Sequence, residues 1–284
     1  MFNTKLLAAA LALGLSGMAS ASITGGSTGN TEFVFSAFDS ADGTGYSYDL
    51  SDLGWDDVYG TNVRMNSLIG STHTATTIGT TLLVKPANGI LFDLALPSFG
   101  DFLGNVSPAA VKWNLISAET SGIKRIVQTV SQAPAAALTN TQVINGANFV
   151  DQYTGALNGK GTNVGGVVTD DGFALTVAAD GTAYAGNVAT FGSNLGGSGY
   201  TNTGSLSDKL NMYVVSSTTT TASTAAGRFA ALTSATGQQV VAKVYSAADG
   251  YHLQISAVPE PETYAMLLAG LGMLGFVARR RRRA

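Results

Sequence analysis

The sequence predicts a mainly β protein. Its body reads as an antiparallel β-sandwich or jelly-roll-like fold with one short helical excursion, set between an N-terminal signal helix and a C-terminal transmembrane helix. Three observations lead there. Short apolar runs alternate with glycine-containing turns through the middle of the chain. A single stretch near residue 150 spaces its apolar residues as a helix does. The first 21 and the last 27 residues differ in composition from everything between them. The division that follows is a signal peptide at 1–21, a β-rich exported domain at 22–257 and an anchor segment at 258–284.

Residues 1–21 read MFNTKLLAAALALGLSGMASA. Lys5 supplies a positive start, Leu6 to Leu15 an apolar run, and Ala19-Ser20-Ala21 a small-x-small cleavage site, the layout of a secretory leader. Small side chains at Ala19 and Ala21 fit the narrow subsites of a signal peptidase, so the cut is placed after Ala21 and the chain is expected to be exported. Removing Lys5 and Arg279 to Arg283 from the basic set, and Glu260 and Glu262 from the acidic set, leaves a body of net charge −7. An acidic body of that kind does not suit nucleic acid, and none is expected as a partner. With no cysteine in the chain, disulfides, thiolate metal sites and cysteine nucleophiles are excluded together.

Within the body the strands follow in order. Glu32 to Phe38 is aromatic and apolar; Thr80 to Lys85 and Ile90 to Leu96 flank Pro86-Ala87-Asn88-Gly89, a hairpin turn. Val111 to Ile116 and Lys124 to Val130 flank a polar connection, and Gly172 to Ala178, Leu210 to Val215 and Gln239 to Ser246 come later. The final run alternates cleanly, with Tyr251, Leu253, Ile255 and Ala257 on one face and His252, Gln254 and Ser256 on the other. Ala248-Asp249-Gly250 joins these last two runs as a hairpin. The helical excursion is Thr139 to Leu157, where Val143, Ala147, Val150 and Leu157 share a face and Thr139 or Asn140 stands ready as a cap. Asn145-Gly146 interrupts its helical character.

The tail reads VPEPETYAMLLAGLGMLGFVARRRRRA. Tyr264 to Ala278 carries no charge, and a helix of that length spans about 22 Å of the ~30 Å hydrocarbon core, with the arginines able to reach for the headgroups. Arg279, Arg280, Arg281, Arg282 and Arg283 should hold that end in the cytoplasm. Val258, Pro259, Glu260 and Pro261, then an apolar helix, then an arginine cluster together resemble the PEP-CTERM sorting signal. That resemblance implies a Gram-negative bacterium, a membrane-embedded exosortase as processing partner, transient anchoring in the inner membrane, and a final place at the cell surface or outside it. It also implies an association with exopolysaccharide and biofilm. Stretches such as FVFSAFDSADGTGYSYDL are similar to exported proteins bearing such tails, a likeness that implies no activity.

Several residue groups could carry chemistry, and each also has a plainer role open to it. Gly25-Gly26-Ser27-Thr28-Gly29 has the letters of a nucleophile elbow without the strand and helix that elbow requires. Gly155 to Thr162 misses phosphate-loop spacing by one residue and reads as a surface turn. His73 and His252 lie far apart, and no zinc spacing exists. Asp39, Asp42, Asp49, Asp52, Asp56 and Asp57 crowd near glycines, as calcium ligands do, but in no known calcium-loop spacing, and they read as solvated loop acids. Tyr46, Tyr48 and Trp55 form a candidate sugar-stacking strip, the alternative being core packing of alternate rings. No catalytic residue, metal or cofactor is expected. The sequence therefore points to a non-enzymatic surface or matrix protein, with a carbohydrate-binding module as the alternative and a secreted polysaccharide hydrolase behind it.

Overall fold

Thr-Gly-Tyr-Ser-Tyr-Asp, read above as part of an acidic loop, is a strand. β1 (Val34–Asp39) and β2 (Thr44–Asp49) form an antiparallel hairpin whose turn carries Gly43 at φ +63°. Alternating aromatics explain the strand: Tyr46 and Tyr48 face the same side as Phe35 and Ala37, and burying that row outweighs the turn-forming tendency of its neighbours. This computed structural model describes residues 23, 32–50, 89–120, 122–134, 136–163, 172–187, 201–233, 238–257 and 273.

The remaining strands are β3 (Ile90–Ala95), β4 (Lys112–Glu119), β5 (Arg125–Val130), β6 (Phe173–Val177), β7 (Gly204–Ser205), β8 (Lys209–Ser216), β9 (Arg228–Ala231), β10 (Val241–Ala247) and β11 (Gly250–Ser256). All pair antiparallel in the order β3-β11-β10-β8-β5-β4-β1-β2-β6, with β7 added to β4 and β9 to β8. The mainly antiparallel β expectation holds. The division into two stacked sheets does not appear in the pairing: the described strands join one continuous sheet, curled as a half-barrel. A strand with one face turned into a curl alternates just as a sandwich strand does, so the sequence pattern suits either architecture. The β4–β5 and β10–β11 hairpins form as expected. Residues 80–88 of the hairpin expected before β3 lie outside the described residues, as do 1–21 and, Met273 apart, the tail from 258 onward. Among the described residues no helix is long and apolar enough to cross a membrane.

Helices cover the two faces of the sheet separately. On the inner face, helix α1 (Phe99–Gly104) follows β3 through Ser98, whose φ of 55° turns the chain sharply inward. Its Phe99 meets Phe35 of β1 edge-on at 5.5 Å between ring centres, Tyr46 of β2 at 5.0 Å and Tyr251 of β11 at 5.6 Å. Since β2 and β11 each stand next to an end of the strand order, this one ring joins opposite ends of the sheet. Tyr46 completes the tie by donating its hydroxyl to the Pro97 carbonyl at 2.8 Å.

On the outer face lies α2 (Asn140–Leu157), the helix expected from spacing. Thr139 caps it reciprocally: its hydroxyl accepts from the Gln142 amide, and the Gln142 side chain accepts from the Thr139 amide. The helix continues through Asn145-Gly146 because Gly146 is buried, where lack of a side chain suits close packing. Val143, Ala147, Val150, Tyr153 and Leu157 join Ile116, Ala118, Ile126 and Val215 in a second core. A polar row crosses beneath it: Ser47, Ser36 and Asn114 stand opposite one another on β2, β1 and β4, with the Tyr153 hydroxyl 2.8 Å from Ser36 Oγ. Gly45, in the same hairpin, has no substitute: a Cβ there would sit 2.7 Å from the Ala185 Cβ.

Replacing Phe99 with Ala is expected to cost about 3–5 kcal/mol, read as a lowered urea midpoint, because it empties the ring position shared by both ends of the sheet. Glu119 and Arg125 face each other at the close of the β4–β5 hairpin as a buried ion pair. Glu119→Gln should cost about 3–5 kcal/mol by stranding the guanidinium, and a denaturation series measures it directly.

Candidate functional site

The terminal hairpin splits its side chains between two environments, as its alternation requires. Leu253 and Ile255 turn inward with Ala242 and Val244, whereas Lys243, Tyr245, His252 and Gln254 turn outward beside Asp93 of β3. Asp93 gathers them. It accepts the Tyr245 hydroxyl at 2.7 and 2.8 Å, the Gln254 amide at 2.6 Å and His252 Nδ1 at 3.1 Å. The other ring nitrogen of His252 lies 3.0 Å from an Asp249 carboxylate oxygen in the hairpin turn. Lys243 lies 4.9 Å from the centre of the Tyr245 ring.

The electrostatics follow from this arrangement. At Asp93 partial burial works against the charge, but hydrogen bonds from Gln254, Tyr245 and His252 outweigh it and lower its pKa below the ordinary carboxylate value. At His252 desolvation opposes protonation, yet the bonds and charges of Asp249 and Asp93 prevail and raise its pKa. The bond to Asp93 raises the Tyr245 pKa. An imidazolium satisfies two carboxylates at once, since both ring nitrogens then donate. Both Asp93 oxygens accept protein donors. The group is a clasp that fastens β3 to β11 and β10. Sequence reasoning had placed His252 and Gln254 on one face but missed their partner, which lies about 160 residues earlier in the chain.

The structure places the other candidates as follows. Tyr46 is fully buried and Tyr48 is 6 % exposed, so neither ring offers a face to a sugar; for these two members of the candidate strip the core-packing alternative is the outcome. The cause is the inner curl, which takes every second residue of β2 out of water. Burial also pushes the Tyr46 hydroxyl well above its usual pKa, with a further contribution from Tyr48. Trp55 lies outside the described residues. Asp39 and Asp49 are buried rather than solvated, and their register directs them to opposite faces of the hairpin, so they do not converge on one cation. Among the described residues no group of three or more His, Asp or Glu is arranged to hold a metal ion. Lys160, from the near-miss phosphate loop, pairs with Asp180 at 2.6 Å just beyond α2. Residues 24–31, His73, Asp52, Asp56 and Asp57 lie outside the described residues.

The last strand leads to the exit from the fold. β11 lies between β3 and β10, and Ala257 after it is buried, its amide donating to the Gly89 carbonyl at 2.7 Å. Residues 257–283 match the family model of the PEP-CTERM protein-sorting motif. The chain carries a PEP-CTERM sorting tail. That tail makes it an exported protein processed by an exosortase and directed to the cell envelope or surface. No curated protein and no solved structure matches the chain. The sorting tail thus begins on a residue still held by the sheet, and Pro259, Glu260 and Pro261 follow within four residues of it.

The clasp gives a pH dependence with a definite sign. The raised His252 pKa contributes stability that is full below the unfolded value of about 6.5 and is lost as pH rises through the folded value. The lowered Asp93 pKa contributes stability that is full above the unfolded value of about 3.9 and is lost as pH falls through the folded value. Asp93→Asn should therefore cost most between about pH 4 and 6.5, by roughly 1 kcal/mol for so exposed a group, and less on either side. Thermal unfolding of the two proteins across pH 3–9 checks this; a difference independent of pH would assign Asp93 a packing role alone.

Proposed function

We propose that the body is a non-enzymatic scaffold of the cell surface or extracellular matrix, carried there by its tail and associated with exopolysaccharide. The observation that carries this reading is the meeting of fold and tail at Ala257: the curled β sheet passes directly into a sorting motif. The polysaccharide association rests on the resemblance of the tail. With Tyr46 and Tyr48 inside the core, contact with a polysaccharide falls to other residues of the surface.

The route divides into stages that separate by mutation. Ala19 and Ala21 flank the leader's cut site; Pro259, Glu260 and Pro261 are the recognition element; Tyr264 to Ala278 is the transient membrane stop; Arg279 to Arg283 keep the end of the tail in the cytoplasm. Each arginine costs about 2.5–3.5 kcal/mol to bring to the bilayer centre.

Serine in place of all five arginines should abolish stable membrane insertion. Alanine in place of Pro259, Glu260 and Pro261 should leave insertion intact and accumulate an uncut protein in the membrane fraction. Fractionation with intact-mass measurement distinguishes the two variants. Release of the Pro-Glu-Pro variant at the wild-type rate and size would reduce the tail to an ordinary anchor. Retention of the released body by the host's own exopolysaccharide in affinity electrophoresis tests the association, and its absence at every polysaccharide concentration would remove that part.

A further inference from the structure

Ile23 lies 135 positions from Asn158 in sequence yet meets it at the end of α2, is 3 % exposed and belongs to the core beneath that helix. Its backbone is held at both polar atoms by one side chain: the Ile23 amide donates to Asn158 Oδ1 at 2.6 Å, and Asn158 Nδ2 donates to the Ile23 carbonyl at 2.9 Å. A carboxamide has one acceptor and one donor group spaced like those of a peptide bond, so Asn158 reads the Ile23 backbone as a neighbouring strand would. Asn158 is itself fixed as the C-cap of α2, its amide turned back to the Thr154 and Ala156 carbonyls. Backbone recognition and apolar burial therefore coincide on a single residue, and that residue stands two positions after the leader's expected cut.

We propose that Ile23 is a docking end: its seat on Asn158 seals into the helix-side core the mature N-terminus that removal of the leader after Ala21 leaves. This rests on the reading of residues 1–21 as a cleaved leader. Ile23 is buried with both backbone polar atoms taken. The consequence is a terminus that resists trimming: a cut after Ala21 leaves a single residue, Ser22, ahead of the latch, and an exopeptidase that removes it leaves an Ile23 amine beside the Asn158 carboxamide.

The test uses the full chain after export, exposed to a broad-specificity aminopeptidase and followed by intact mass. The wild-type chain should lose at most Ser22 and then stop. Asn158→Leu, which removes both hydrogen bonds, and Ile23→Ala, which removes the buried side chain, should each be trimmed past residue 23 at least tenfold faster. Amide exchange at Ile23 should be slow in the wild type and accelerate at least tenfold in Asn158→Leu, a readout that remains available if Ile23→Ala fails to fold. Trimming of the wild type through Ile23, or equal rates in all three proteins, overturns the proposal. The starting mass separates the two readings. A mature terminus beyond Ile23 overturns the docking end, whereas one upstream of Ser22 overturns only the placement of the cut, with exchange at Ile23 still deciding the docking.

Discussion

A curled sheet leaves its first and last strands unpaired with each other, and it holds its curvature only if something inside joins the two ends. Here that link is aromatic. Phe99 packs on β1 and β2 toward one end of the strand order and on Tyr251 of β11 toward the other, with Trp113 and Phe173 extending the same cluster through Phe35 and Tyr46. Edge-on ring pairs of this kind contribute about 0.5–1.5 kcal/mol beyond the area they bury. The rest of the inner core, from Leu115 to Leu253, lines the space this cluster defines. The outward clasp at Asp93 serves the same architecture from the other side, because it fixes the strand from which α1 departs.

The outer face is built differently. α2 covers β4, β5 and β8 with an apolar stripe, but Ser36, Ser47, Asn114 and Tyr153 lie within that contact. A buried polar row costs desolvation, and hydrogen bonds such as Ser36 to Tyr153 recover part of it. Where α2 ends, Asn158 holds Ile23, just as Gly89 holds Ala257 on the opposite core.

Local signals were legible to the extent that the interaction they encode is local. The α2 cap was readable because Thr139 and Gln142 are three residues apart, and the β10–β11 hairpin because its turn and alternation lie within one short stretch. β2 was read as a loop because Asp39, Asp42, Asp49 and the intervening glycines suggest turns. The aromatic row that overrides them acts only when Phe99 and Phe173 arrive from elsewhere in the chain. Burial of Tyr46 and Tyr48 followed from the same arrival, and it decided between the two readings of those rings in favour of core packing.

What the sequence by itself determined is the β character of the body, its one long helix and its sorting tail. Strand alternation, helical spacing and a linear motif are properties of neighbouring residues. Tertiary structure alone decided that the strands join one curled sheet, that Asp39, Asp49 and the aromatic residues of the first hairpin are buried, that Asp93 clasps His252, and that Asn158 receives Ile23. Those last two contacts span 159 and 135 residues. At such separations the partner is chosen by strand order and by helix placement, which no local pattern records.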